Sequence, residues 1–218
     1  SIVTDDSDDK VKDTDVVRVT TTFSEAMTSA PTISIDLPNG TDISGVSMTQ
    51  STTSDVWYYD WTVSDGGDGT ATITVAGTDL AGNAYAGGDT DTVTIDNTAP
   101  TVVSIVTDDS DDRVKDTDVV RLTTTFSEAM TSAPTISIDL PNGTDISGVS
   151  MTQSTTSDVW YYDWTVSDGG DGTATITVAG TDLAGNAYAG VDTDTVTIDN
   201  TVPTLSAVSI ASDNSDTS

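Results

Sequence analysis

Oxygen ligands are the one kind of chemistry this chain carries in quantity. It has 36 Asp and Glu against six Lys and Arg, with no His and no Cys. There is no His for general base work, no Cys nucleophile, and no Ser in a nucleophile-elbow sequence. Paired carboxylates can cleave glycosides, but here they crowd loops that lack an aromatic cleft, so no enzyme is expected. Carboxylates beside Asn amides are suited instead to a hard cation such as Ca²⁺, which takes six to eight oxygens. The candidates are Glu25, Asp79 and Asn83, their second copies Glu128, Asp182 and Asn186, and the pairs Asp96-Asn97 and Asp199-Asn200. Acidic runs add Asp5, Asp6 and Asp9, repeated as Asp108, Asp109 and Asp112. The first run matches EF-hand spacing at Asp5, Ser7, Asp9 and Asp13. Lys10 stands where that loop needs Gly and Val16 where it needs Glu, so it is not an EF-hand. Gly66-Gly67-Asp68-Gly69 is one fragment of a calcium-binding nonapeptide, present once per repeat, and no β-roll follows.

These residues are placed by a domain-sized duplication. Residues 1–103 recur as 104–206 with six differences: Lys10/Arg113, Val19/Leu122, Gly88/Val191, Ala99/Val202, Val102/Leu205 and Val103/Ser206. A period of about a hundred residues exceeds the roughly 20–50 of solenoid units and suits a whole small domain. We read 1–98 as one repeat, 99–202 as the second, and 203–218 as a tail or the start of a third, whose echo begins near Ser209. The missing initiator Met and the short third copy lead us to expect a piece of a longer chain. Spacers and multivalent binders repeat one domain end to end; enzymes rarely need to.

Net charge is −30, of which each repeat carries −14. That field repels nucleic acid and anionic membranes, so neither is an expected partner. No apolar stretch reaches the ~18 residues of a membrane span, and no signal peptide opens the chain. With no Cys to form disulfides, a metal ion is the leading candidate for the staple that small extracellular domains often need.

Strand signals recur about every dozen residues. In the first repeat they predict strands at 2–4, 16–23, 32–36, 45–50, 56–63, 70–76 and 90–96; in the second the opening strand is predicted at 103–107. Val17, Val19, Thr21 and Phe23 share one face of their strand. So do Trp57, Tyr59, Trp61 and Val63; Ala71, Ile73 and Val75; and Val93 and Ile95. Thr fills much of the opposite faces. One apolar and one polar side per strand suits a two-sheet sandwich. About seven strands in a hundred residues suits an immunoglobulin-like one, here without the disulfide and with two Trp in the core. Val191 in place of Gly88 indicates that no positive φ is required there.

Alternating strand direction sorts the loops onto two poles. Residues 5–15, with six Asp, lie at the far pole with Asp65, Asp68 and the exit at Asp96-Asn97. Glu25, Asp79 and Asn83 lie at the near pole. The connection Ile95-Asp96-Asn97-Thr98-Ala99-Pro100 has no Gly/Ser tether, and Pro100 stiffens it. The far pole of one repeat thus meets the near pole of the next, where Asp96, Asn97, Glu128, Asp182 and Asn186 supply the oxygens a Ca²⁺ site needs. The competing reading is that the acidic loops are solvated surface.

Thr22-Phe23-Ser24-Glu25-Ala26-Met27, Trp61-Thr62-Val63-Ser64, Asp79-Leu80-Ala81-Gly82-Asn83 and Ile95-Asp96-Asn97-Thr98-Ala99-Pro100 together resemble the bacterial immunoglobulin-like repeats of giant, type I-secreted (RTX-like) surface adhesins. The resemblance covers each whole repeat. It implies an extracellular extender at the bacterial cell surface, a monomeric rod of identical neighbouring repeats kept straight by Ca²⁺ at the junctions, between a cell anchor and a ligand-binding tip. The ligands it implies are Asp96, Asn97, Glu128, Asp182 and Asn186. The matching Glu25, Asp79 and Asn83 have no preceding linker here. The acids of the 5–15 loop resemble a second, intradomain site whose ligands cannot be matched singly. A strand of roughly 30 Å, with loops, gives each repeat about 40 Å of length.

A glycan- or ligand-binding module is the alternative, with Tyr58 facing out and Tyr85 in a loop; two isolated Tyr make no platform. An autocatalytic Lys–Asn crosslink is not expected, because Lys12 and Lys115 sit in an acidic loop rather than a buried strand. Asn39-Gly40-Thr41 satisfies a glycosylation sequon, but Pro-Asn-Gly is adequately explained as a turn.

Overall fold

The computed structural model describes residues 1–208, and the echo of a third copy that begins at Ser209 lies outside them. Two all-β, immunoglobulin-like sandwiches follow one another along the chain. The first holds β1 (Ile2–Thr4), β2 (Lys10–Val11), β3 (Val16–Thr22), β4 (Thr32–Asp36), β5 (Ile43–Ser47), β6 (Thr49–Gln50), β7 (Val56–Thr62), β8 (Gly69–Ala76) and β9 (Thr90–Ile95). The second repeats this as β10 (Val102–Thr107), β11 (Arg113–Val114), β12 (Val119–Phe126), β13 (Thr135–Asp139), β14 (Ile146–Ser150), β15 (Thr152–Gln153), β16 (Val159–Thr165), β17 (Gly172–Ala179) and β18 (Thr193–Ile198). In the first repeat one sheet runs β1-β3-β7-β6 and faces another ordered β2-β9-β8-β4-β5; the second has the same two sheets.

Period-two patterning decides which side chains go inside. Val17, Val19, Ile33, Ile35, Ala71, Ile73, Val93 and Ile95 are all buried, and Trp61 is 1% exposed between the sheets. Their neighbours in sequence are mostly Thr, and on the outer face of β8 and β9 Thr70, Thr72 and Thr74 pair directly with Thr94, Thr92 and Thr90. One core draws on residues 11–95 and the other on 114–198, with Val102, the first residue of β10, packed on the second.

Three details depart from the sequence reading. The acidic loop 5–15 is not wholly loop: β2 lies within it and pairs in parallel with β9, Val11 being 1% exposed. The single strand expected at 45–50 is two strands in different sheets. β5 pairs with β4 and β6 with β7, while Met48, 3% exposed, anchors the crossing. Strands that turn a sandwich corner change sheets at such bends. Finally, Gly88 does sit at positive φ (111°), whereas Val191 is not among the positive-φ residues, so this loop differs between copies.

Candidate metal centre at the joint between repeats

Three short backbone devices aim three carboxylates at one point. Asp96 follows β9 and is held there by its N–H, which donates to the Val11 carbonyl at 2.8 Å. Glu128 follows β12, just after Ser127, whose N–H donates to the Thr101 carbonyl at 2.8 Å and whose hydroxyl accepts from the Thr101 N–H at 2.9 Å. Asp182 closes a tight turn with its own side chain. Its carboxylate accepts the Asn186 N–H at 2.8 Å and the Asn186 amide at 2.9 Å, while Gly185 turns the chain at φ 86°. One carboxylate oxygen from each of Asp96, Glu128 and Asp182 lies within 4.8 Å of the others. Among the described residues this is the only such acidic convergence.

Packing three anions so closely is unfavourable. At an effective dielectric between about 20 and about 80, two unit charges 4.8 Å apart repel by about 1–3.5 kcal/mol, and solvent around these part-exposed groups keeps the repulsion towards the lower end. Glu128 registers it: burial and the facing Asp96 and Asp182 carboxylates push its carboxyl up to about 7, with Lys10 opposing. A proton or a cation relieves the strain. Oxygens about 2.3–2.6 Å from one Ca²⁺ spread over up to about 5 Å, which matches the observed span, and water would complete the shell. The donor set therefore fits Ca²⁺ held by Asp96, Glu128 and Asp182.

The near pole of the first repeat serves as an internal control, because it has the same residues and no repeat against it. Asp79 already accepts from the N–H groups of Ala81 and Asn83 and from the Asn83 amide, all at 2.8 Å. The Asn83 hydrogen bonds hold its carboxyl below the usual range. The turn is thus preformed. Glu25 and Asn83 are exposed there, and a cleft of about 290 Å³ opens beside Phe23, Glu25, Asp79 and Tyr85. In the second repeat Thr101 and Val102 lie against the equivalent strand end, Phe126 is 1% exposed, and Ala184 is buried where Ala81 is exposed.

Asn97 is not brought to the cluster. Its amide oxygen accepts the Asp13 N–H at 2.7 Å and its amide nitrogen donates to the Gly67 carbonyl at 2.7 Å, both within its own repeat. Asp68 accepts the Thr98 hydroxyl and the Asn97 N–H, which hold its carboxyl low. Asp13 accepts the N–H groups of Asp65 and Gly66. These contacts tie the linker to the far pole, and Asn200 repeats them with Asp116, Gly170 and Asp171. Asp199 occupies the place of Asp96, its N–H on the Val114 carbonyl. Asn186 reaches the joint as a donor: its amide nitrogen also bonds the Asp96 carbonyl at 2.8 Å.

The acids of the 5–15 loop brace the loop itself. Asp5 accepts the Arg18 N–H at 2.7 Å, Asp6 the Lys10 N–H at 3.1 Å, and Asp9 the Thr4 hydroxyl at 2.5 Å. Asp108, Asp109 and Asp112 do the same for Arg121, Arg113 and Thr107. Sequence reasoning missed Lys12, whose ammonium donates to the Gly185 carbonyl across the joint. The available signal was two Lys two residues apart, among acids, at the pole that meets the next repeat.

No protein-family model matches the chain, and no curated protein matches it. Among solved structures, a tetra-tandem repeat in the extending region of a large adhesion protein aligns with 87% of this chain at 20% identity and a TM-score of 0.42. A titin fragment of three immunoglobulin domains, in an E-to-A mutated variant, aligns with 87% at 13% identity and 0.39. The chain spans 48% and 61% of those two chains respectively, less than two thirds of either.

Proposed function

We propose that this chain is a non-catalytic spacer, part of the extender of a bacterial cell-surface adhesin, stiffened by Ca²⁺ at the joint between repeats. The observation that carries this reading is the convergence of Asp96 from one repeat with Glu128 and Asp182 from the next. A cation there is held by both repeats at once, so binding resists their relative motion. Calcium in extracellular modules typically binds at ~10⁻⁴–10⁻³ M, which would leave such a chain looser inside a cell and rigid outside, where it would carry a distal ligand-binding domain away from the surface. Asp96, Glu128 and Asp182 are the ligands we assign. Asp199 would serve a following repeat, and Glu25 and Asp79 a preceding one.

The glycan-binding alternative gains nothing from the tyrosines. Arg18 lies over the Tyr58 ring at 4.2 Å, and Tyr85 sits edge-on to Phe23 with its hydroxyl on Asp89. Small-angle scattering with Ca²⁺ and with chelator tests the spacer reading. We expect a longer, less flexible particle in Ca²⁺; identical maximum dimension and flexibility in both would reject calcium stiffening.

A further inference from the structure

The first repeat has three basic side chains, and two of them stand on or beside β2. The third, Arg18, is bound to Asp60 at 2.7 Å. Val11 points into the core at 1% exposure, so Lys10 and Lys12, one residue to either side, share the opposite face. The Lys12 end of that face reaches the second repeat. The Lys12 ammonium donates to the Gly185 carbonyl, in the turn that holds Asp182, and the Asn186 amide of the same turn donates to the Asp96 carbonyl at 2.8 Å. A side chain at residue 185 would begin 3.1 Å from the Lys12 nitrogen, so glycine permits this approach as well as the turn. The second copy supplies the comparison: Lys115, in the position of Lys12, folds back onto Asp118 of its own loop at 3.1 Å, with both side chains largely exposed.

We propose that Lys10 and Lys12 form a built-in cationic latch that recognises the near pole of the following repeat and aligns the joint before any metal binds. The inference rests on the reading of this joint as a stiffened connection and adds a metal-independent part to it. Lys12 fixes the position of the 182–186 turn by a directed hydrogen bond. Lys10, on the same face two residues earlier, brings a second positive charge towards the joint, and Ca²⁺ then adds stiffness to a joint already in register. The partner recognised is another copy of this same repeat. The sequence signature is a Lys-x-Lys that begins on a two-residue strand and faces a Gly-Asn turn.

The chain has no Cys, so spin labels at Thr74→Cys and Thr177→Cys, both exposed, report the distance between repeats without competing sites. In chelator we expect the unmodified joint to give a narrow distance distribution. Lys10→Ala/Lys12→Ala should at least double its width, Lys12→Arg should recover most of the narrowing, and Lys115→Ala should behave as the parent. Because Lys10 opposes a cation at the trio, Lys10→Ala should also tighten Ca²⁺ binding several-fold. Tryptophan fluorescence melts of each variant separate loss of the latch from loss of fold. The latch is overturned if the parent is already as broad as the double variant in chelator, or if Lys115→Ala broadens the distribution equally. Failure of Ca²⁺ to narrow the parent would reject calcium stiffening but leave the chelator comparison intact.

Discussion

Replacing Glu128 by Gln should strengthen the joint without metal and weaken its response to metal. In the folded chain burial, Asp96 and Asp182 raise the Glu128 carboxyl from 4.5 to about 7. Such a group binds its proton more tightly folded than unfolded between those values. Its contribution to stability is therefore complete below about pH 4.5 and disappears as pH rises through about 7. The full shift corresponds to about 3 kcal/mol; Glu128 is only half-buried, and solvent screening reduces this to about 1–2 kcal/mol. For a domain of this size each kcal/mol moves the melting temperature by roughly 4–8 °C. In chelator at pH 8, Glu128→Gln should raise the melt of the second repeat by roughly 4–16 °C, and at pH 5 the gain should shrink towards zero. With saturating Ca²⁺ the order reverses, because one ligand charge is gone. Glu25→Gln is the control: the same residue on the same strand end, exposed and without a facing repeat. Calorimetry of the two variants at both pH values checks this. Equal shifts for Glu128→Gln and Glu25→Gln, or a lower melt for Glu128→Gln in chelator, would refute the account of the trio.

Other expectations concern parts of the structure that do not touch the trio. Asn97→Ala removes the bonds to Asp13 and Gly67 and should cost about 1–2 kcal/mol in urea unfolding, while leaving Ca²⁺ affinity within twofold by titration calorimetry. Asp65, 5% exposed, accepts the N–H groups of Asn39 and Gly40 and the Asn39 amide. Asp65→Ala leaves those donors unpaired and should cost about 2–3 kcal/mol. Burial alone would raise the Asp65 carboxyl, but these donors outweigh it and hold it low, so its contribution is present above the ordinary carboxylate range and lost as pH falls. A stability profile of Asp65→Ala against the parent should therefore converge in acid, opposite in sign to Glu128. Trp61→Ala empties a fully buried site between the sheets and should cost about 3–5 kcal/mol by denaturant unfolding.

The sandwich was legible because core-facing residues recur at every second position in the long strands, with Thr on many of the opposite faces. It failed where the pattern carries no mark of a change of partner. Alternation continues through Ser47, Met48 and Thr49, so nothing local shows that β5 and β6 belong to different sheets. β2 is two residues long and pairs with β9, more than eighty residues away, so its sequence looks like any acidic loop. The joint was partly legible from the poles to which the strands deliver their ends. Asn97 stands beside Asp96 in the linker and so shares its pole, but consecutive residues leaving a strand point to opposite sides, and its amide turns back onto Asp13 and Gly67. Lys12 was passed over because its neighbours are acids, while its partner is a backbone carbonyl in the next repeat.

The most direct measurement is anomalous diffraction from crystals of this chain grown in Ca²⁺. The account predicts one calcium peak between the carboxylates of Asp96, Glu128 and Asp182, bonded to both repeats. A water-filled site there, with calcium found only elsewhere or not at all, would contradict it.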